Sequence, residues 1–238
     1  MRLRDFQVLT FDCYGTLIDW ETGLYDALQP LLKRAGVALS RDAVLEAFAR
    51  VESETQTALP NMPYAGLLAE VHAKLAAGWG VRADAYEDAV FGGSVGRWPA
   101  FPDTVEALRY LKQHYRLVIL SNVDRISFGI TAERLKVPFD AVYTAQDIGS
   151  YKPDPRNFAY LLDRMKEQGF DKRQLLHVAQ SLFHDHVPAN AAGLASAWID
   201  RRQGAGGSGA TAPVAGAVRY DFRFPSLAAL AEAHQAEA

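Results

Sequence analysis

The chain is poor in cysteine and has no long apolar run, and these two absences limit the classes of protein to which it can belong. Its 238 residues include a single cysteine, Cys13, so no internal disulfide can form, which fits a reducing compartment and predicts a cytoplasmic protein. No stretch approaches the roughly 18–20 apolar residues that span a bilayer, and the first residues lack the apolar segment of a signal peptide. Charge is also modest: a formal net charge of −3 gives no reason to expect a nucleic-acid or membrane partner.

What the sequence does contain is an alternation of short apolar runs with helical patterns. Strand-like runs occupy residues 6–11, 116–121, 141–143, 175–178 and 197–199. Helical patterns cover residues 102–114, 155–168 and 187–194, and residues 220–233 resemble a final strand and helix. Strands that alternate with helices predict βαβ units. We therefore expect an α/β fold with a doubly wound, mostly parallel, Rossmann-like sheet.

Between the first two strand-like runs lies a segment that is helical throughout. Its helical patterns cover residues 22–35, 41–59, 64–78 and 83–91. The simplest arrangement is an all-helical cap over residues 20–97, inserted into a core of residues 1–19 and 98–238. Near the end of the chain, residues 203–217 are rich in Gly, Ala and Ser and predict a flexible surface loop, because no strand-to-helix context for phosphate binding surrounds them.

The first strand-like run ends abruptly in an acid. Residues 6–20 read FQVLTFDCYGTLIDW, so Asp12 stands at the carboxyl end of the strand, before a tight turn with Gly15 and the hydroxyl of Thr16. Open parallel sheets bind ligands at this edge. A carboxylate there can attack carbon or phosphorus and form a covalent intermediate. We expect Asp12 to be catalytic and Thr16 to hold its carboxylate in place.

The DCYGTL run that begins at Asp12 resembles motif one of the haloacid dehalogenase superfamily, in which this aspartate is a nucleophile. In the superfamily's phosphatases the position of Tyr14 is usually a second aspartate, the general acid. A tyrosine there is similar to the type II 2-haloacid dehalogenases. Because a phenol with a pKa of about 10 cannot act as a carboxylic acid does at pH 7, Tyr14 favours dehalogenation, and we place it among the substrate-binding residues.

Two further short motifs carry the same resemblance. Ser121 ends the second strand-like run and Asn122 follows it. The resemblance implies that the hydroxyl binds the substrate's carboxylate and that the amide contributes to halide binding. Lys152, in the sequence YKPDP, matches the lysine of motif three, whose ammonium would keep Asp12 ionised despite burial. The tyrosine that the dehalogenases carry shortly afterwards is Phe158 here.

The fourth motif departs furthest from the family. Residues 177–186 read HVAQSLFHDH, where the dehalogenases have Ser-Ser-Asn followed by an aromatic residue and Asp. Ser181 aligns with their Asn, and Asp185 aligns with their Asp after a one-residue insertion. The resemblance implies that Asp185 activates the hydrolytic water, with Ser181 and His184 in the substrate pocket. His184 and His186 are two residues apart and do not share a helix face, so a zinc site is not expected.

One residue of the best-known dehalogenases is missing: an arginine, shortly after motif one, that grips the halide. Residues 20–25 read WETGLY, and neither Arg34 nor Arg41 gives a secure alignment. Arg125 is an alternative source of positive charge, although its plain interpretation is a surface helix residue. Trp20 is a candidate for an apolar wall of the halide pocket, with ordinary packing as the alternative.

These residues leave three functions open. The favoured one is metal-independent hydrolytic dehalogenation of small 2-haloalkanoic acids through an aspartyl ester on Asp12. The second is a magnesium-dependent phosphatase of small molecules, in which Asp185 would bind the metal. The third is a non-catalytic protein that binds small anions, which the presence of Asp12 and Lys152 argues against. The resemblance thus implies a small organic acid as substrate, no cofactor in the favoured function and Mg²⁺ in the second, and it suggests a homodimer.

Overall fold

Six parallel strands form a single sheet in the computed structural model, which describes residues 1–203, 210–211, 214 and 216–237. The strands are β1 (Val8–Phe11), β2 (Arg116–Ser121), β3 (Ala141–Thr144), β4 (Leu175–Ala179), β5 (Ala195–Ile199) and β6 (Phe222–Phe224). Their order in the sheet is β3-β2-β1-β4-β5-β6, and every neighbouring pair is parallel. This doubly wound order confirms the predicted Rossmann-like α/β fold.

Helices fill the connections between the strands. Five of them lie between β1 and β2, and the first four form the inserted segment: α1 (Trp20–Ala35), α2 (Arg41–Ala58), α3 (Tyr64–Gly78) and α4 (Ala85–Gly92). The others are α5 (Thr104–Leu111), α6 (Arg125–Leu135), α7 (Ala145–Ile148), α8 (Arg156–Glu167), α9 (Val187–Ala191) and α10 (Leu227–Ala236). The inserted helical cap is therefore present, while its exact limits at residues 20 and 97 stay a prediction. No helix in the described part of the chain is long and apolar enough to cross a membrane.

The helix ends of the cap follow from local sequence. Asp19 accepts a hydrogen bond from the backbone of Thr22 and so caps α1. The same helix ends at Gly36, whose φ of 63° is the left-handed conformation that glycine adopts without strain. Ser40 then caps α2 in the same way as Asp19 caps α1.

Apolar clusters cover both faces of the sheet, and the pleat of β1 serves both. Leu9 and Phe11 belong to the cluster beneath the cap, α5 and α10, whereas Val8 belongs to the cluster against α8. Because successive strand residues point to opposite faces, Thr10 lies on the α8 side. Its register partner on β4 is His177, so two polar side chains meet inside an otherwise apolar layer.

The site lies at the carboxyl edge of the sheet, where β1, β2 and β4 end side by side. Phe11 pairs with Ile119 of β2 and with Val178 of β4, which brings the residues that follow these strands together. The predicted flexible loop over residues 203–217 falls largely outside the described residues. Of its described members, Thr211 returns to this edge and is part of the site.

Candidate active site

The turn after β1 fixes the position of the Asp12 carboxylate. Thr16 Oγ1 donates to Asp12 Oδ2 at 2.9 Å and accepts a hydrogen bond from the backbone N–H of Gln180 at 2.9 Å. Gly15 has a φ of 95°, and an added Cβ would lie 3.0 Å from Nε1 of Trp20, so only glycine fits this turn. The predicted holding role of Thr16 is therefore supported by a direct bond.

Lys152 connects the two acids of the site. Its Nζ donates to Asp12 Oδ1 at 2.9 Å, to Asp185 Oδ1 at 2.6 Å and to the carbonyl oxygen of Leu120 at 2.9 Å. An ammonium has three donors, so all of them are used. Lys152 is only 1% exposed, and a buried cation of this kind is stable only because its partners are charged and close.

Lys152 shifts the pKa of each aspartate towards its charged form, and the two aspartates do the same for Lys152. Burial alone would lower the pKa of Lys152, but Asp12 and Asp185 raise it above its ordinary value. Burial raises the pKa of Asp12 above its ordinary value, and Lys152 opposes that effect without reversing it. For Asp185 the opposing effects win: although burial acts to raise its pKa, Lys152 and His177 hold it well below the usual range. Asp185 is thus an ionised base over the whole neutral range.

Asn122 acts on the backbone of Lys152. Its Nδ2 donates to the carbonyl oxygen of Lys152 at 2.9 Å, and its Oδ1 accepts from the N–H of the same residue at 2.7 Å. The side chain that the sequence assigned to halide binding therefore clamps the lysine loop to the end of β2. Both of its polar groups are engaged, although the residue also lines the cleft.

Asp185 lies in a single turn of π-helix, Leu182–His186. A π-turn contains one residue more than an α-turn and often occurs at functional sites, and this matches the one-residue insertion in the fourth motif. Ser181 caps the turn by accepting a hydrogen bond from the backbone of His184 at 3.0 Å. The extra residue is absorbed locally, and Asp185 still reaches Lys152.

His177 belongs to the fourth motif, but the sequence predicts no role for it; in the structure it lies directly behind Asp185. Its Nε2 lies 2.9 Å from Asp185 Oδ1, and its Nδ1 lies 2.8 Å from Thr10 Oγ1. The ring is fully buried. With Lys152 and His177 both on Oδ1, the other oxygen, Oδ2, makes no hydrogen bond within the described structure.

These side chains surround a small cleft of about 50 Å³. It is lined by Asp12, Tyr14, Trp20, Glu52, Gln56, Tyr64, Ser121, Asn122, Lys152, Gln180, Ser181, His184, Asp185 and Thr211. Nine of the ten predicted site residues line the cleft. The tenth, Thr16, does not line it but donates a hydrogen bond to Asp12, which does. The buried Ser121 hydroxyl, like Asp185 Oδ2, has no partner within the described structure. Buried polar atoms are rarely left unpaired, so both are candidates to meet a ligand.

A sequence profile of the haloacid dehalogenase-like hydrolases matches residues 6–182. This chain belongs to that family. An (S)-2-haloacid dehalogenase of Pseudomonas putida is 27% identical over 221 residues, which are 85% of this chain and 88% of that protein.

Solved structures share the fold across the whole chain. An L-2-haloacid dehalogenase from Xanthobacter autotrophicus superposes with a TM-score of 0.79 at 19% identity, covering 98% of this chain and 100% of that one. The HAD-hydrolase YfnB of Bacillus subtilis, bound to magnesium, gives 0.76 at 17% identity, covering 99% of this chain and 100% of that one. Both likenesses concern the fold alone.

In this haloacid dehalogenase-like hydrolase, Tyr14 and Trp20 form an aromatic wall of the cleft. The ring of Trp98 lies 5.7 Å from that of Tyr14 and 6.4 Å from that of Trp20. The Tyr14 hydroxyl lies 2.9 Å from Thr131 Oγ1. Burial raises the pKa of Tyr14 well above 10, so the phenol stays neutral.

The two histidines of the fourth motif have separate environments. His184 lines the cleft, and burial lowers its pKa to about 4, so it is neutral at pH 7. His186 points elsewhere, with Nδ1 at 2.9 Å from Ser196 Oγ and Nε2 at 3.0 Å from the carbonyl oxygen of Ala179. The two residues do not form a chelate.

The arginine hypotheses from the sequence find no support in the hydrolase's cleft. Arg125 pairs with Asp147 on the surface, and Arg34 pairs with Glu87. Arg41 donates to Thr22 Oγ1 at 2.8 Å. Among the described residues that line the cleft, Lys152 is the only lysine or arginine.

Several cleft residues were missed by sequence reasoning. They are Glu52 and Gln56 on α2, Tyr64 on α3, and Gln180 and Thr211 from the core. The pair on α2 carried a readable signal, since residues four apart lie on one helix face. Gln180 and Thr211 contact each other, with the Thr211 hydroxyl 3.3 Å from Gln180 Oε1, and nothing in the sequence announces that contact.

The acids of the site are a poor match for a resident metal ion. Within the described part of the chain, no group of three or more His, Cys, Asp or Glu residues is arranged to hold one. Asp12 and Asp185 are both bonded to the same ammonium, so a cation would have to share each of them with Lys152.

Proposed function

We propose that this hydrolase cleaves the carbon–halogen bond of small 2-haloalkanoic acids through an ester on Asp12, without a metal ion. The observation that carries the proposal is the neutral Tyr14 phenol, bonded to Thr131, at the place where a phosphatase needs a carboxylic acid. An alkoxide must be protonated as it leaves, whereas a halide leaves without a proton. The dehalogenase relative from Pseudomonas putida, aligned over most of both chains, supports the same choice.

In the first step, an Asp12 oxygen attacks the α-carbon while the halide departs with the bonding electron pair. Lys152 and Thr16 hold the carboxylate in position by hydrogen bonds of 2.9 Å each. The Ser121 hydroxyl is available to donate to the carboxylate of the substrate. Covalent catalysis of this kind divides one difficult displacement into two easier steps.

In the second step, water attacks the ester carbonyl carbon of Asp12, and Asp185 Oδ2 accepts a proton from that water. Oδ2 is buried and free of protein partners within the described structure, whereas Oδ1 is bound by Lys152 and His177. As the tetrahedral intermediate collapses, the bond between the acyl carbon and the substrate oxygen breaks and that oxygen takes the proton from Asp185. Asp12 gives its remaining proton to solvent, so the 2-hydroxy acid is released and both carboxylates are restored. The ammonium of Lys152, next to the attacked ester, stabilises the developing negative charge.

The cleft favours a small substrate. A volume of about 50 Å³ compares with the roughly 10–15 Å³ that one water needs, so the reacting acid has only a few heavy atoms. The relatives named (S)-2-haloacid dehalogenases support the (S) enantiomer. We assign Ser181 and His184 to the cleft wall that positions the acid, with His184 as a neutral hydrogen-bonding group.

For the location, domain division and oligomeric state of the enzyme, we keep the predictions made from the sequence. A cytoplasmic location is supported by the single, buried cysteine. The division into a core of residues 1–19 and 98–238 and a cap of residues 20–97 is supported by the four consecutive helices α1 to α4, which follow β1. A homodimer stays a prediction from the family resemblance.

Parallel assays of halide and phosphate release test the proposed activity. One preparation is given (S)-2-chloropropionate, (S)-2-bromopropionate and a generic phosphomonoester, each with magnesium and with chelator. We expect halide release that chelation leaves unchanged, with Asp12→Asn reducing it to below a few per cent. Magnesium-dependent phosphate release without halide release would instead establish the phosphatase and assign Asp185 to metal binding. Release of neither product would favour the anion-binding protein.

A further inference from the structure

The buried stripe of α2 changes from apolar to acidic where the helix crosses the cleft. Val44 and Phe48 are fully buried, and the next residue of the i, i+4 series, Glu52, is only 6% exposed. Gln56 follows one turn later, and both Glu52 and Gln56 line the cleft. An amphipathic helix normally keeps such positions apolar. A carboxyl group here costs stability, which indicates a functional role.

Within the described part of the chain, Glu52 has one hydrogen-bonding partner, and that partner is neutral. Tyr64 Oη donates to Glu52 Oε1 at 2.7 Å, and none of the ion pairs among the described residues includes Glu52. A buried carboxylate without a cation is strongly disfavoured. Burial raises the pKa of Glu52 to about 7, against the opposing hydrogen bond from Tyr64.

Among the described residues, the groups that face Glu52 give it no ion-pair partner, and Lys74 of α3 donates instead to Thr55 Oγ1 at 2.9 Å. From α3 comes Tyr64, from the β1 turn Tyr14, and from the loop before α8 Tyr151, and burial raises the pKa of all three phenols. Across the cleft lie the charged Asp12, Lys152 and Asp185 and the neutral His184. Two carboxylates already outnumber the single ammonium, so an ionised Glu52 would add a second uncompensated negative charge.

We propose that Glu52 is the specificity-determining residue of the cap and works as a neutral carboxylic acid that donates a hydrogen bond to the halogen of the substrate and to the departing halide. This inference rests on the proposed dehalogenase function. The proton remains on Glu52 throughout, while the carbon–halogen bond breaks and the halide takes the electron pair. In a cleft where Lys152 is committed to three acceptors, a neutral acid supplies the donor that a departing anion requires.

The proposal predicts an alkaline limb in the pH profile. As pH rises through the pKa of Glu52, about 7, the donor is lost and a negative charge appears beside an anionic substrate. The value of kcat/KM for the 2-haloacid should then fall by up to roughly tenfold per pH unit. Glu52→Gln keeps the size and an N–H donor but cannot ionise, so its profile should stay flat from pH 6 to 9, within a few-fold of wild type at pH 6.

The decisive comparison is halide release by wild type, Glu52→Gln and Glu52→Leu between pH 5.5 and 9. Glu54→Gln, on the exposed side of the same helix, is the matched control and should follow wild type. We expect Glu52→Leu to lose activity at every pH. An alkaline limb that persists in Glu52→Gln, or an inactive Glu52→Gln beside an active wild type, would overturn the proposal.

Bromide binding separates this inference from the proposed function, because it needs no turnover. Bromide should raise the Tm of wild type at pH 6 but not at pH 9, and it should raise the Tm of Glu52→Gln at both pH values.

The stability of the unliganded protein should also depend on pH through Glu52. Its folded-state pKa lies above the ordinary 4.5, so the stability contributed by protonated Glu52 is lost as pH rises through about 7. Without bromide, the Tm of wild type should therefore fall relative to that of Glu52→Gln between pH 5 and 8.

The two proposals fail in different ways. Bromide binding that is equal in wild type at pH 6 and pH 9 would contradict the role of Glu52, whereas an absence of halide release would contradict the dehalogenase function.

Discussion

At the scale of single residues, the site is organised by the way each carboxylate divides its two oxygens. Asp185 gives Oδ1 to Lys152 and His177, which leaves Oδ2 for water. Asp12 is held through both oxygens, by Lys152 and Thr16. In the proposed mechanism, the same acid type therefore acts as a fixed nucleophile in one position and as a base in the other.

Removing the support behind Asp185 should slow one chemical step and spare the other. We expect His177→Leu to reduce steady-state turnover by roughly tenfold or more, because Asp185 Oδ1 and Thr10 Oγ1 each lose a buried hydrogen bond. Halide release in the first turnover should be unchanged, so an ester on Asp12 should accumulate. Rapid-quench halide measurement and intact-protein mass spectrometry follow the two steps separately.

A conservative variant provides the control for that experiment. His177→Gln retains an N–H donor toward Asp185, so it should recover part of the steady-state rate. If the first-turnover burst falls together with the steady-state rate in His177→Leu, the histidine supports the fold of the site and not the hydrolytic step.

Single functional residues were predictable only where a short motif surrounds them. Asp12, Lys152 and Ser121 follow strands that the sequence reveals, and the structure brings all three to the cleft. Glu52 and His177 lie within an ordinary helix and strand, and their roles depend on what packs against them. Sequence spacing can place Glu52 and Gln56 on one face of a helix, but it does not identify the side chains that pack against them.

At the scale of elements, the predictions succeeded where an apolar pattern was continuous. The second strand was predicted with its observed limits, Arg116–Ser121, and the fifth begins at Ala195, two residues before its predicted start. For helix α6 the sequence predicted only a surface helix at Arg125 and no limits, because its apolar residues do not lie on one face: Ile126 is 79% exposed and Ile130 46% exposed. Because apolar residues lie on both the exposed and the buried sides of this helix, its sequence shows no amphipathic periodicity.

The clamp between the end of β2 and the lysine loop is testable at this scale. Asn122→Ala removes both hydrogen bonds to the Lys152 backbone, which should lower the free energy of unfolding by about 2 kcal/mol. We expect kcat to fall roughly tenfold as well, since a tenth of the rate corresponds to a loss of only ~1.4 kcal/mol in the alignment of the Lys152 ammonium.

The matched control holds the same loop from the other side. Asn157 Nδ2 donates to Ser150 Oγ at 3.0 Å and to the carbonyl oxygen of Asp154 at 3.1 Å, without touching Lys152. Chemical denaturation and steady-state kinetics of Asn157→Ala should give a similar loss of stability with kcat nearly unchanged. Equal losses of kcat in both variants would mean that general loosening of the loop, and not the position of Lys152, limits the rate.

At the scale of the whole molecule, the cleft is assembled from parts that are distant in sequence. The core contributes the carboxylates and the ammonium, while α2 and α3 of the cap contribute Glu52, Gln56 and Tyr64. Arg201, beyond β5, donates to the Thr16 carbonyl oxygen at 2.8 Å and supports the nucleophile turn from a third direction. The fold class could be predicted because alternation of elements determines it, whereas the cleft depends on tertiary contacts between cap and core.

The most direct test of the account is the fate of the oxygen atom from water in a single turnover. Excess enzyme is mixed with (S)-2-chloropropionate in water labelled with oxygen-18. Mass spectrometry then measures the masses of the product and of the peptide that contains Asp12. Because water attacks the ester carbonyl, the account predicts label in the Asp12 carboxylate and an unlabelled 2-hydroxy acid. Label in the product hydroxyl with an unlabelled Asp12 would mean that water displaces the halide directly, and it would contradict the role of Asp12 as nucleophile.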